Sequence, residues 1–361
     1  MEFFQVSLSE GDRAAENHPV LAQDAPDLLD PFFAAQPEVT PEFPHLYYGQ
    51  EDGRIACYIR SFPDTSTYQG QHLTWSWNAD LFTHPDFRRR GLAQALVEQQ
   101  MQACDRLGMI WGGVFSSPPA LRLYEKLGFT MIGFVPRLCA LRTITPFLDH
   151  HIPGPLAAAG NAFYTPFYRA RSAYFSRSAK GDRKGILQEI SPADLAALPI
   201  HETCQPQTVH WDQSGTWVAR RQAVRGIDRF FVLKEHGANT PLAYAAIRQR
   251  PNKARPIREK YFGVDTMTLT HFGSFAPAER TAPLLVNALL EMFHASDAHL
   301  FEIIASNPAV QQAARARGMI SMGAGMSFKY YAPEALRQSL PPEGPENFHL
   351  THYMGDSFSF E

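Results

Sequence analysis

The sequence predicts an α/β chain of the α+β kind, built as two domains in which helices flank a sheet, and three observations predict it. A chain of 361 residues exceeds the usual span of one domain, about 100–200 residues. Strand-like alternation and helix-like spacing recur in one order on either side of residues 146–185. Sliding the chain by 190 residues lays SSPPALRLYEKLGFTMIG over SNPAVQQAARARGMISMG without a gap, as expected of an internal repeat. Ser116 then meets Ser306, Pro118 meets Pro308, Gly128 meets Gly318 and Gly133 meets Gly323.

In the first half, HLYYG and RIACYIRSF flank Gln50 to Gly53, where Glu-Asp-Gly supplies the positive-φ residue of a tight hairpin. A long strand follows from His72 to Thr83. A helix runs from about Gly91 to Leu107, because Leu92, Ala95, Leu96, Met101 and Leu107 recur near helical spacing with Gln and Glu between them. MIWGGVF reads as a buried strand. Ser117 then offers an N-cap and Pro118 a first helical position, and Gly128 closes that second helix. The order is β-β-β-α-β-α-β. In the second half FFVLKEHGANTPLAYAAIR reads as a hairpin and YFGVDTMTLTHF as the long strand.

Residues 146–185 begin with Pro-Gly chemistry and end basic and Gly-containing, as a boundary does, and their aromatics predict a segment packed on a domain surface. The division expected is therefore a domain over 1–150, a linker over 151–185, a second domain over 186–335 and a tail over 336–361. The tail is aromatic enough to add a strand to either half.

An apolar share of 45% with 19% charged residues fits a soluble globular chain. Net charge is only −3 and the arginines are scattered, which argues against a nucleic-acid partner. Cys57, Cys104, Cys139 and Cys204 form no CxxC pair, so reduced thiols in a cytoplasm are expected. The acidic N-terminus and the lack of a membrane-length apolar window predict a cytoplasmic protein without a membrane partner. His349-x-x-His352 and His150-His151 lack acidic or cysteine partners at fixed distances, so no metal is expected. Trp75, Trp77 and Trp111 read as core, with Trp75 and Trp77 alternatively lining an acceptor pocket.

The run from Leu81 to Leu96, LFTHPDFRRRGLAQAL, carries the chemistry. Gly91 and Ala93 keep bulky side chains away from a helix start, so successive backbone N–H groups there can point at a pyrophosphate, with Arg88, Arg89 and Arg90 adding positive charge. This run resembles the acyl-CoA motif of the GNAT acetyltransferases, Arg/Gln-x-x-Gly-x-Gly/Ala, met by Arg88, Gly91 and Ala93, with SSPPALRLYEKLGF following at the family's usual distance. The resemblance implies two GNAT-like domains, each a mixed, mostly antiparallel twisted sheet flanked by helices. It implies acetyl-CoA as acyl donor and a primary amine, on a small molecule or peptide, as acceptor. Backbone groups of Phe82 and Thr83 would pair with the pantetheine arm. Arg89, Arg90, Gly91, Leu92, Ala93 and Gln94 would wrap the pyrophosphate. Ser117 stands where the family often has an asparagine touching the cofactor.

By the same resemblance Tyr124 is the general acid toward the departing thiolate, since a phenol with a pKa near about 10 keeps its proton at neutral pH. Relatives carry a glutamate base where this chain has Gly112. Asp80 is a doubtful substitute, because alternation sets it with Ser76 and Asn78, opposite Trp75, Trp77, Ala79 and Leu81. A water chain to weak acceptors, or an amine that arrives neutral, would serve instead. At the repeat offset Arg88, Gly91, Ala93 and Tyr124 become Ala278, Thr281, Pro283 and Ala314. The resemblance is thus to a tandem arrangement with a degenerate C-terminal copy, in which Glu302, opposite Gly112, is a relic or a substrate contact. A catalytically silent acyl-CoA sensor and a tRNA-dependent aminoacyl-transferase are the alternatives, the latter disfavoured by the acidic charge and the intact motif.

Overall fold

In a computed structural model, residues 1–29, 41–115, 118–144, 154–178, 185–198, 208–211, 228–250, 265–322 and 326–350 are described. Strand β1 (Glu2–Ser7) and the short helices α1 (Ala14–Asn17) and α2 (Pro19–Asp24) precede the hairpin of β2 (Pro44–Glu51) and β3 (Arg54–Tyr68). Asp52 and Gly53 turn that hairpin at φ of 52° and 70°, the backbone its Asp-Gly pair predicts. Next come β4 (Gln71–Thr83), α3 (Leu92–Leu107), β5 (Ile110–Phe115), α4 (Pro118–Lys126), β6 (Thr130–Val135) and β7 (Arg137–Leu141).

Residues 154–178 form one helix, α5 (Gly154–Ser178), where composition suggested only a surface-packed linker. It is docked: Tyr164 Oη donates to the Leu141 carbonyl at 2.9 Å and Arg171 to that of Gly318 at 2.9 Å. The second half contains β8 (Gly185–Ile190), α6 (Pro192–Ala196), β9 (His210–Trp211), β10 (Asp228–Glu235), β11 (Pro241–Arg250) and β12 (Thr266–Ser274). It continues with α7 (Ala278–Ala295), β13 (Leu300–Ile304), α8 (Pro308–Ala316), β14 (Ile320–Ser321), β15 (Met326–Tyr331) and α9 (Glu334–Arg337). Gly128 and Gly318, paired by the 190-residue shift, follow α4 and α8 at φ of 79° and 80°, a left-handed backbone that glycine takes without a Cβ clash.

Sheet membership crosses the expected boundary. One sheet has the order β1-β2-β3-β4-β5-β15-β6, with β9 beside β3, and the other β14-β7-β13-β12-β11-β10-β8. The first half thus lends β7 to the second sheet, and the second half lends β9 and β15 to the first. β15 lies antiparallel between β5 and β6, and β7 antiparallel between β13 and β14. Specific bonds hold the visitors. Lys329 on β15, its side chain only 2% exposed, pairs with Glu125 at 2.9 Å, and Tyr331 Oη donates to the Asp105 carboxylate at 2.8 Å. Arg137 on β7 pairs with buried Glu302 at 2.5 Å.

Alternation along the strands sorts the core into layers. Phe62, Trp75, Trp77 and Phe328 of one sheet meet Phe230, Tyr244 and Ile304 of the other between the sheets. Ile59, Leu96, Trp111 and Tyr124 pack between the first sheet and α3 and α4, while Leu269, Leu285, Phe301 and Ala314 pack between the second sheet and α7 and α8. Trp75 and Trp77 are stacked with centroids 5.7 Å apart and fully buried, so both rings fill the space between the sheets. The described part of the tail seals that layer with Phe348 and Leu350; residues 351–361, including His352, lie outside the described residues, as do His150 and His151.

Candidate active site

The site begins at an irregularity in β4. Tyr58 pairs with Phe82 and Arg60 with Ala79, so three steps of β4 oppose two of β3 and the extra residue makes a bulge at Asp80 and Leu81. The bulge inverts the alternation: Leu81 packs on the helix side with Phe87 and Leu92, opposite to the tryptophan face on which the sequence placed it. Asp80 falls at this bulge, its side chain outside the described residues. On the other edge of β4 the parallel ladder to β5 ends at Trp77 and Gly112, although both strands run on. The strands splay there, which leaves the β5-facing edge from Asn78 to Thr83 without a strand partner among the described residues.

The loop after β4 continues directly from that edge. Pro85–Phe87 forms a single 3₁₀ turn, and buried Phe87 anchors it. Arg89 then adopts φ of 64° and Gly91 φ of 77°, two left-handed residues flanking Arg90 that turn successive N–H groups toward one side. Gly91 is the N-cap of α3, no side chain caps the helix, and the first turn has no acidic residue. A Cβ built on Gly91 would meet nothing within 4 Å, so the space beside this N-cap is open. An uncapped helix start beside open space is the donor set a pyrophosphate accepts. These residues fit the diphosphate of an acyl-CoA, and the free edge of β4 fits its amide-bearing arm.

The three arginines differ. Arg88 Nε donates to the Thr83 carbonyl at 3.2 Å and so braces the loop against the strand end. Arg90 reaches away from the helix start, pairing with Glu51 of the β2–β3 hairpin at 2.8 Å and lying over the Phe87 ring at 5.5 Å. Arg89 is exposed. Gln94 accepts from Lys126 at 3.0 Å, tying α3 to the end of α4. Exposed Phe82 is stacked on Tyr58 at 5.2 Å. Ser117 lies outside the described residues.

Tyr124 is fully buried, wedged edge-on between Trp111 at 5.9 Å and Phe129 at 4.8 Å. Its phenol oxygen accepts a 2.7 Å hydrogen bond from Asn78 Nδ2, so it is tethered to the strand residue at which the splay begins. That tether is the part of the site that sequence reasoning missed, although alternation had already put Asn78 on the face opposite Trp75 and Trp77. Around it lie buried acceptors, Ser61 Oγ across the strand pair, Asn78 Oδ1 and Gln100 Oε1, without hydrogen-bond partners among the described residues. Sites of this kind ordinarily hold internal water.

Gly112 accounts for the missing glutamate. A Cβ there would come within 2.8 Å of the Trp77 ring, so the indole fills the position at which a side chain would project. Cys57 and Cys104 are buried and their thiols pushed up to about 11 and about 12 by desolvation, which makes them poor nucleophiles. Among the described residues no three His, Cys, Asp or Glu groups cluster as a metal site would require, and no helix is long and apolar enough to cross a membrane.

Residues 43–131 match the family model of the acetyltransferase (GNAT) domain. The fold resembles yeast (Saccharomyces cerevisiae) N-myristoyltransferase with bound myristoyl-CoA, at a TM-score of 0.55 and 9% identity over 91% of this chain and 82% of that one. It also resembles a probable N-acyltransferase from Enterococcus faecalis, TM-score 0.53, at 9% identity over 92% of this chain and 73% of that one. A third likeness is to a GCN5-related N-acetyltransferase from Kribbella flavida, TM-score 0.52, at 10% identity over 92% and 72%. No curated protein sequence matches the chain. The family match thus rests on residues 43–131, which carry the helix start after β4, and the likeness to solved N-acyltransferases covers the fold of both mixed sheets.

Proposed function

We propose that the first half transfers an acetyl group from acetyl-CoA to a primary amine, on a small molecule or peptide, by direct attack in a ternary complex. The observation that carries this reading is the convergence of three features on one gap: the uncapped start of α3, the splayed edge of β4 and the Asn78-tethered Tyr124. The donor brings a thioester whose carbonyl carbon the amine attacks. The amides of Leu92, Ala93 and Gln94 hold its diphosphate, and the open edge of β4 from Phe82 to Thr83 aligns its arm. A backbone N–H on that edge polarises the thioester carbonyl as charge grows on oxygen. Tyr124 gives its proton to the leaving thiolate, with Asn78 fixing the phenol oxygen. Water held by Ser61, Asn78 and Gln100 takes the proton from the attacking amine. Fully buried Trp77, Trp111 and Tyr124 fill the space behind the splay, which supports a short acyl group over a long chain such as the one bound to the yeast enzyme.

Steady-state turnover with acetyl-CoA across a panel of amines tests the reading. Tyr124→Phe is expected to lower kcat by about 10²–10³-fold while KM for acetyl-CoA stays within about threefold. Wild-type protein that binds acetyl-CoA but releases no thiol with any amine would support a silent sensor instead. A preference for long-chain acyl-CoA would overturn the assignment of the donor.

A further inference from the structure

Helix α5 turns a second face away from the molecule, and that face is apolar. Leu156, Phe163, Phe167 and Tyr174 are 60%, 84%, 59% and 69% exposed. With Gly160 and Ala170 they occupy every stripe position between 156 and 174 at alternating steps of four and three residues, the spacing of a coiled-coil seam. Tyr164 and Arg171, which dock the helix on its own molecule, lie off this stripe. A stripe of large apolar groups on a docked 25-residue helix is unusual for a surface that meets only water.

The stripe is symmetric. Leu156 and Tyr174, Gly160 and Ala170, and Phe163 and Phe167 are each equidistant from residue 165. Two such helices laid antiparallel across a two-fold axis at residue 165 would set each large group against a large one and each small group against a small one. This is the self-complementarity that an isologous interface demands. Charge favours the same arrangement: the helix has no Asp, Glu or Lys, and its three arginines, 169, 171 and 177, all lie in the C-terminal half. Antiparallel pairing separates the two arginine groups, whereas parallel pairing would stack them. The area also suffices. At about 200 Å² per large side chain, the four exposed groups contribute roughly 500 Å² per copy, so two copies reach the roughly 1,000 Å² at which specific interfaces begin.

We infer that α5 is a dimerisation helix, pairing antiparallel with α5 of a second copy of this chain through Leu156, Phe163, Phe167 and Tyr174. Sedimentation equilibrium of the full chain is expected to give twice the 40.5 kDa chain mass. Phe163→Asp and Phe167→Asp are each expected to raise the dissociation constant by about 30-fold or more without changing the circular dichroism of the monomer. A mixture of the Leu156→Cys and Tyr174→Cys variants should give a covalent dimer under mild oxidation, while neither variant alone should do so. A wild-type chain that stays monomeric at all concentrations, a dimer indifferent to both aspartates, or cross-linking of each variant with itself would overturn the inference. So would a monomer that binds anionic phospholipid vesicles through this stripe.

Discussion

The two helix starts, after β4 in the first half and after β12 in the second, share a frame and differ in what they leave open. Both long strands carry a bulge at the place the 190-residue shift superposes, since Ile247 pairs with Leu269 and Ala246 with His271, leaving Thr270 over Asp80. Both helix starts are tied to the preceding hairpin by an arginine, Arg90 to Glu51 at 2.8 Å and Arg280 to Glu235 at 2.7 Å. The openings do not recur. The β12–β13 ladder continues to Leu269, which the shift lays over Ala79, two residues beyond Trp77. The Thr270 hydroxyl donates to the Ala246 carbonyl at 3.0 Å, so the bulge satisfies itself. Helix α7 begins at Ala278, four residues earlier at that offset than α3, and buried Thr281, where Gly91 would be, bonds Ser274 at 2.6 Å. The lesson is that the bulge and the arginine brace recur with the fold, whereas the nest of amides and the free strand edge occur only in the half proposed to bind acyl-CoA.

The largest expected effect tests the position that is Gly112 in one half and Glu302 in the other. Arg137→Ala leaves the Glu302 carboxylate buried without its cation and is expected to cost about 3–5 kcal/mol in urea unfolding. Arg137→Ala/Glu302→Gln together should recover most of that loss; no recovery would mean Glu302 is not the partner that matters.

Next comes the nest. Gly91→Glu puts a side chain at φ of 77° and an anion where the diphosphate would sit. Calorimetry should show acetyl-CoA affinity reduced by about 100-fold or more, roughly 2.7 kcal/mol, while Thr281→Glu leaves it unchanged. Equal losses from both substitutions would erase the distinction between the halves.

Acid should strain the first half more than the second. Burial, then the charge of Arg60, depresses His45 from its usual 6.5 to about 4, whereas His294 in the second half shifts the same way but is exposed. The unfolded chain therefore binds a proton at His45 that the folded chain refuses between about pH 6.5 and 4. The stability present above that window is lost as pH falls through it, about 2 kcal/mol by pH 5. His45→Gln should flatten this part of the stability–pH curve, and an unchanged slope would contradict it.

The smallest effect separates brace from anchor. Arg90→Ala and Arg280→Ala remove equivalent exposed ion pairs, so each should cost under about 1 kcal/mol and Arg90→Ala should weaken acetyl-CoA binding by less than about threefold. A tenfold loss at Arg90 would make it a phosphate ligand after all.

Much of the first half was legible because local chemistry dictates it. The Asp-Gly hairpin, the Leu92–Leu107 helix and the Pro118 start of α4 all occur where the residues predicted them. Leu81 was misplaced for a local reason of another kind: a bulge adds one residue without a marker, and one residue flips every later side chain to the other face. Helix α5 was hidden because the Pro-Gly start and the basic, Gly-containing end of residues 146–185 read as boundary chemistry, whereas bonds to Leu141 and Gly318 dock the helix on the second sheet.

By itself, then, the sequence determined which backbone could bind an anion: glycine at 91, small residues beside it and no acid in the first turn are properties of the residues and need no partner. Only the tertiary structure decided that β7 and β15 change sheets, that Trp77 occupies the space beside Gly112, and that Arg88 braces the strand end while Arg90 braces the hairpin. Alternation states which face of a strand is apolar but not which neighbour will pair with its edge, and an arginine's role follows from the carboxylate or carbonyl that folding brings within reach.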